Sequence, residues 1–270
     1  MKARGGAIPY VVWMAIFVIA PLLLVVGYAV TTREGGFTLN NFKAMYQYIA
    51  VFARSFFMAF LATVICLVIG YPLAYYLSRE SLFVRKISMM LIMLPMWMNF
   101  LLRTYAWMAL LEDTGLINQF LSFLHLPTFH MINTPGAVVL GMVYNFLPFM
   151  VLPIFSVIDK IDRKVIEAAQ DLGADNTVVF RRIIFPLSLP GVLSGITMVF
   201  IPSVSTFALS RLLGGGKTML LGDLIEMQFL GSAYNPHLGS AIALVMMCII
   251  LVSITIMNRF GEGEEGVAVL

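Results

Sequence analysis

The chain has 270 residues, 60% hydrophobic and 11% charged, with 17 Lys and Arg against 14 Asp and Glu. A water-facing domain carries about 25% charged residues, so a soluble globule is excluded and most of the surface faces something other than water. Two cysteines, Cys66 and Cys248, exclude a disulfide framework and a multi-cysteine metal site, and a net charge of +3 is too small to argue for nucleic acid.

Crossing about 30 Å of hydrocarbon takes roughly 20 helical residues. Six apolar stretches meet that length: 8–30, 56–77, 87–111, 136–158, 183–210 and 238–257. Five contain no Asp, Glu, Lys or Arg, and the third contains one, Arg103. This pattern predicts an all-α membrane protein of six transmembrane helices, a single domain over 1–270, with both cysteines as buried thiols inside it. Segments of alternating polarity, the mark of a membrane barrel, are missing. The first stretch follows Lys2 and Arg4, as a signal peptide would. Its 23 residues exceed a signal core of about 7–15, and it reads as a retained helix.

Six spans put both termini on one side. With that side cytoplasmic, eleven basic residues lie inside and five outside, Arg103 being in the membrane. The positive-inside rule therefore favours cytoplasmic termini. The outer loops are then 31–55, 112–135 and 211–237, and the inner loops 78–86 and 159–182.

The inner loop 159–182 departs from a plain connection. Ile161, Val165, Ile166, Ala168, Ala169 and Leu172 recur at helical spacing among charges. The spacing predicts a short amphipathic helix over roughly 162–172, closed by Gly173. Such a helix lies on a membrane surface or inserts into a partner's groove. Its basic residues precede it and acids follow, unlike a lipid-binding face, which favours the partner.

Glu167, Ala168, Ala169, Gly173, Ile183, Phe185 and Pro186 stand at the spacing of the EAA signature. The loop thereby resembles that of ABC importer permeases, with Phe185 where that family usually has Leu. Small Ala168 and Ala169 permit close approach of a partner, Gly173 permits a sharp turn, and Pro186 starts a helix without needing an N–H donor. The stretches from Leu94, Thr134 and Ile166 extend the likeness over the chain, toward the permeases of bacterial spermidine/putrescine importers.

The resemblance implies the type I ABC importer permease (MetI-like) fold in a bacterial inner membrane. The loop 159–182 would carry a coupling helix docking into an ATP-binding subunit through Glu167, Ala168 and Ala169, with Gly173 setting the turn. It further implies a second homologous permease chain, two ATPase subunits that bind ATP and Mg, and an extracellular or periplasmic polyamine-binding protein. This chain would bind no cofactor and hydrolyse nothing. Phosphonate, iron and sugar permeases share parts of the pattern and remain alternatives for the cargo.

Other classes fit less well. The run Gly214, Gly215, Gly216, Lys217, Thr218 resembles the end of a phosphate-binding loop, but Arg211 occupies the position of its first glycine. His125, His130 and His237 all fall in outer loops, and no acid lies within a span. That argues against intramembrane catalysis and proton- or sodium-driven carriage, and the docking loop argues against a passive channel.

A polyamine path would draw on aromatic faces, worth about 0.5–2 kcal/mol each for a cation, and on hydroxyls and amides. Trp97, Asn99, Tyr105 and Trp107 are the candidates in the third span, Tyr144 and Asn145 in the fourth, and Ser203, Ser205 and Thr206 in the fifth. Interfacial anchoring or helix packing is the alternative for each aromatic. The fifth span, with Pro186, Pro190, Gly191, Gly195 and Pro202, is expected to line the path; close helix packing through Gly191 and Gly195 is the alternative, and both can hold. Asp223 and Glu226, three apart on a short outer helix, either attract the arriving cation or are simply solvated. Arg103 is expected near the outer end of its helix, paired with an acid or with carbonyls. The last ten residues, GEGEEGVAVL, read as an acidic tail.

Overall fold

The structure, a computed structural model, describes residues 8–231 and 233–261. The acidic tail past Gly261, with Lys2 and Arg4, lies outside the described residues. Among those described, regular structure is helical apart from one isolated bridge, Thr31 to Phe37.

The first span is α1 (Ile8–Met14), a π turn (Ala15–Ile19) and α2 (Ala20–Ala29). A short α3 (Asn40–Ala44) leads into α4 (Ile49–Arg79). Its 31 residues reach about 46 Å at 1.5 Å per residue, so the helix outruns the hydrocarbon and carries Arg54 at one end and Arg79 at the other.

The expected single span 87–111 is instead two helices, α5 (Leu82–Trp97) and α6 (Phe100–Leu111), the latter followed by α7 (Leu116–Phe123). The two arms meet at 93°. Pro95 removes an N–H from the last turn of α5. Asn99 then starts a new helix, its Oδ1 accepting from the amides of Leu101 and Leu102 at 2.9 and 3.3 Å.

The fourth span, α8 (Pro135–Ile158), is followed by α9 (Arg163–Asp171) within the inner loop. After it α10 (Asn176–Val179) winds through a π turn (Phe180–Ile184) into α11 (Phe185–Ser205). The expected span 183–210 thus stops short: Thr206 is extended and α12 (Ala208–Leu213) restarts. The chain continues through α13 (Leu221–Leu230) and α14 (Pro236–Gly261). Among the described residues five helices are long and apolar enough to cross a membrane, six with the bent pair taken as one.

The core is the trio α4, α8 and α11, each packed on the other two. In lipid, where apolar burial gives helices little reason to associate, close backbone approach has to supply the attraction. Ala62, Cys66, Gly70 and Ala74 make a buried small-residue stripe along α4. Gly191 and Gly195 of α11 do the same, lying against Pro153, Ile154 and Met150 of α8. The expected glycine packing of the fifth span is present. Of the two thiols, Cys66 is buried as expected, while Cys248 is exposed on the outer face of α14.

Candidate functional site

At the end of the bundle where α8 stops, Asp162 begins α9 by accepting from the Lys164 amide at 3.0 Å. The helix ends in a paired turn: Gly173 N–H reaches the Gln170 carbonyl at 2.9 Å and Ala174 N–H the Ala169 carbonyl at 3.0 Å. This is the Schellman arrangement, which needs a left-handed residue at its hinge. Gly173 supplies it, with φ +86°.

The helix divides into two faces. Ile161, Ile166, Ala169 and Ala174 pack against the bundle core. Ala169, expected to touch a partner, therefore turns inward, because it stands three residues from Ile166 on the same face. Glu167 and Ala168 are exposed. Beside them lies Leu172, 90% exposed, with half-exposed Val165. Val165, Ala168 and Leu172 stand at i, i+3 and i+7, the spacing of an apolar stripe that fits a groove. Leu172 is the residue that the motif alone does not single out, although its helical register was visible.

A second feature at this end of the bundle ties α5 to α4 and α8. Arg85, near the start of α5, donates to Asp159, which closes α8, and through Nη2 to the Ser78 carbonyl of α4 at 2.7 Å. Its guanidinium carbon also sits 5.7 Å from the Phe155 ring centre. A basic residue and an acid at the same end of neighbouring spans was the available signal. A cleft of about 470 Å³ lies beneath, lined by both residues and by Tyr75, Arg79, Arg163 and Glu167.

The candidate path residues are only partly brought together. Trp107 and Tyr144 meet edge to face, ring centres 5.3 Å apart, joining the third and fourth spans. Trp97, 74% exposed, and Tyr105, about half-exposed, face away from the chain's own core. Asn99 is occupied in capping α6. Asn145 is buried and donates to the Gly141 carbonyl at 2.8 Å, and among the described residues its Oδ1 has no partner. Ser203, expected on the path, is fully buried and bonds back to the Val199 carbonyl at 2.7 Å; the third residue from the end of α11 points into the helix packing. Ser205 is exposed and Thr206 half-buried at the break before α12.

Asp223 and Glu226 share α13, but neither is a free charge. Asp223 is buried, accepting from Ser210 Oγ at 2.5 Å and from the Leu220 amide at 2.9 Å. Burial raises its carboxyl pKa above the ordinary value, opposed by those two hydrogen bonds and by Arg211 and reinforced by Glu226. Glu226 takes a two-pronged bond from Arg211, at 2.5 and 3.1 Å. The acids fasten α13 to α12.

Arg103 also departs from expectation. The break at Met98 and Asn99 makes it the fourth residue of α6 instead of a residue near an outer end. It is 8% exposed, and among the described residues its Nε and Nη1 have no acceptor. The glycine run 214–216 forms a left-handed turn, with φ +56° and +72° at Gly215 and Gly216, next to α12 and without a strand before it.

The family described as binding-protein-dependent transport system inner membrane component matches residues 67–262. Among curated proteins, the chain is 37% identical over 244 residues to the spermidine/putrescine transport system permease protein PotB of Escherichia coli strain K12, covering 87% of this chain and 88% of that one. The Haemophilus influenzae PotB is 36% identical, covering 88% of each chain. Among solved structures, a chain of a bacterial alginate ABC transporter in complex with an alginate pentasaccharide-bound periplasmic protein superposes with a TM-score of 0.82. It covers 95% of this chain and 92% of that one at 16% identity, a likeness of fold.

Proposed function

We propose, for a chain that belongs to the family of binding-protein-dependent transport system inner membrane components, the import of polyamines. It is a multi-pass inner-membrane permease subunit of an ABC importer with the MetI-like fold. The observation that carries the cargo is the 37% identity to a spermidine/putrescine permease over 87% of the chain.

The arrangement of residues supports a division of labour. The exposed face of α9, with Glu167, Ala168, Val165 and Leu172, is the docking surface for an ATPase subunit. ATP and Mg are bound there by the partner, not by this chain. Cytoplasmic termini follow from the eleven basic residues on that side. Trp97 and Tyr105, exposed on their own chain, supply half of a path whose other half comes from a second permease chain. Two ATPase subunits and a polyamine-binding protein outside complete the assembly.

An inside-negative potential already draws a cation inward by about 2.3 kcal/mol per charge per 100 mV. ATP therefore serves direction, scavenging from low concentration and control of leakage. The test is uptake of labelled spermidine by proteoliposomes holding the full complex, with phosphonate, iron and sugar as competitors. ATP-dependent uptake blocked only by polyamines is expected. Blockage by another solute class reassigns the cargo, and transport by this chain alone marks it as a channel or unpowered carrier.

A further inference from the structure

The cleft between α9 and the ends of α4, α5 and α8 has a chemistry that docking of an ATPase does not call for. Its lining includes three arginines, Arg79, Arg85 and Arg163, and the acids Asp159 and Glu167. Asp159 is already taken by Arg85. Arg79 lies over the Tyr75 ring at 4.3 Å, and neither it nor Arg163 has a carboxylate partner among the described residues. The Nε of Arg85 is buried and has no acceptor among the described residues.

Ile158, Ile161, Ile166 and Ile184 line the same cleft. Free phosphate would need the guanidinium groups alone. A group that is anionic at one end and hydrocarbon at the other uses both kinds of lining residue. The cleft also lies at the end of the spans, where a bilayer presents its headgroups, and basic pockets between helices on the cytoplasmic side suit anionic lipids. Guanidinium groups match phosphate oxygens in pairs.

We propose that this cleft binds the phosphate of an anionic phospholipid headgroup, such as phosphatidylglycerol. Arg79 and Arg163 hold its oxygens, and the isoleucines of the lining meet the glycerol and first methylenes. The placement in the inner leaflet rests on the cytoplasmic orientation proposed above. Because Arg163 belongs to α9 and Arg79 to α4, the bound headgroup ties the docking helix to the bundle.

The test uses the purified full-length chain in detergent, with added dioleoyl-phosphatidylglycerol or dioleoyl-phosphatidylcholine, read by native mass spectrometry. The wild type is expected to retain phosphatidylglycerol several-fold over phosphatidylcholine, and R79Q/R163Q to lose that preference. The single variant R79Q, expected to fall between, serves if the double variant does not fold. Equal retention by wild type and variants overturns the site. Binding of inorganic phosphate that depends on the two arginines, without a lipid preference, overturns the lipid assignment in favour of a soluble anion. No step requires transport, so failure of spermidine uptake would sink the cargo reading and leave this result standing.

Discussion

Arg85 and Asp159 join the start of α5 to the end of α8 through a guanidinium–carboxylate pair, three residues before the N-cap of the docking helix. The same arginine holds the last turn of α4 through the Ser78 carbonyl. Three elements that end at one face of the bundle thus share a single side chain. On the ATPase docking proposed for α9, this side chain is the link by which a displacement of that helix would reach α4 and α5.

Breaking this link should uncouple before it unfolds. Residues along a coupling route change coupling by about 0.5–2 kcal/mol. Asp159→Asn and Arg85→Gln are therefore each expected to lower ATP-driven uptake about two- to thirty-fold at unchanged membrane abundance. The exchanged pair, Arg85→Asp with Asp159→Arg, should restore part of it, since it regains the ion pair and loses the Ser78 bond. No rescue would show that the pair acts through something other than its charges.

Gly173 separates backbone need from side-chain need. A Cβ there would meet nothing within 4 Å, so space is no obstacle, but φ is +86°. An ordinary L-residue in the left-handed region costs about 1–2 kcal/mol, and Asn visits it more readily. Uptake is expected to rank wild type, then Gly173→Asn, then Gly173→Ala, with Gly173→Val lowest. Asn falling below Val would mean that the glycine serves close contact with a partner instead of the turn.

Leu172 offers a test of the docking face. A 90% exposed leucine contributes little to its own fold, so Leu172→Asp should leave the thermal midpoint of the isolated chain unchanged. If Leu172 is one of the few anchors that dominate the interface, its loss costs more than about 1 kcal/mol, a roughly fivefold weakening. Co-purification of the ATPase subunit should fall accordingly. Unchanged association would move the docking surface elsewhere on α9.

What the sequence made legible follows from which interactions are local. The spans needed only apolar length, and α9 only its period, Asp162 before it and Gly173 after it. The break of the third span depends on a proline and a cap that apolar length does not register, Pro95 and Asn99. The partners of Asp223, Glu226 and Arg85 come from other elements, so their roles were invisible until α12, α13 and α8 were placed. Ala169 could be set inward only once Ile166 was seen against the core. Trp107 and Tyr144 were individually legible, but their contact was not.

The α8–α11 contact gives the last prediction, because two glycines in spans differ sharply in what surrounds them. A Cβ on Gly191 would lie 2.8 Å from the Pro153 carbonyl oxygen and 3.1 Å from the Ile154 Cα. These are backbone atoms of α8 and cannot rotate aside. Forcing such an atom into a packed interface costs about 1–3 kcal/mol, so Gly191→Ala should lower the thermal midpoint of the detergent-purified chain and reduce its accumulation in the membrane. Gly27, on α2, has nothing within 4 Å of that position. Alanine is the better helix former by about 0.5–1 kcal/mol, and Gly27→Ala should be neutral or slightly stabilising in the same assay. If the two variants behave alike, close backbone approach is not what holds α11 to α8, and the side chains of Val192 and Val199 would have to carry that interface.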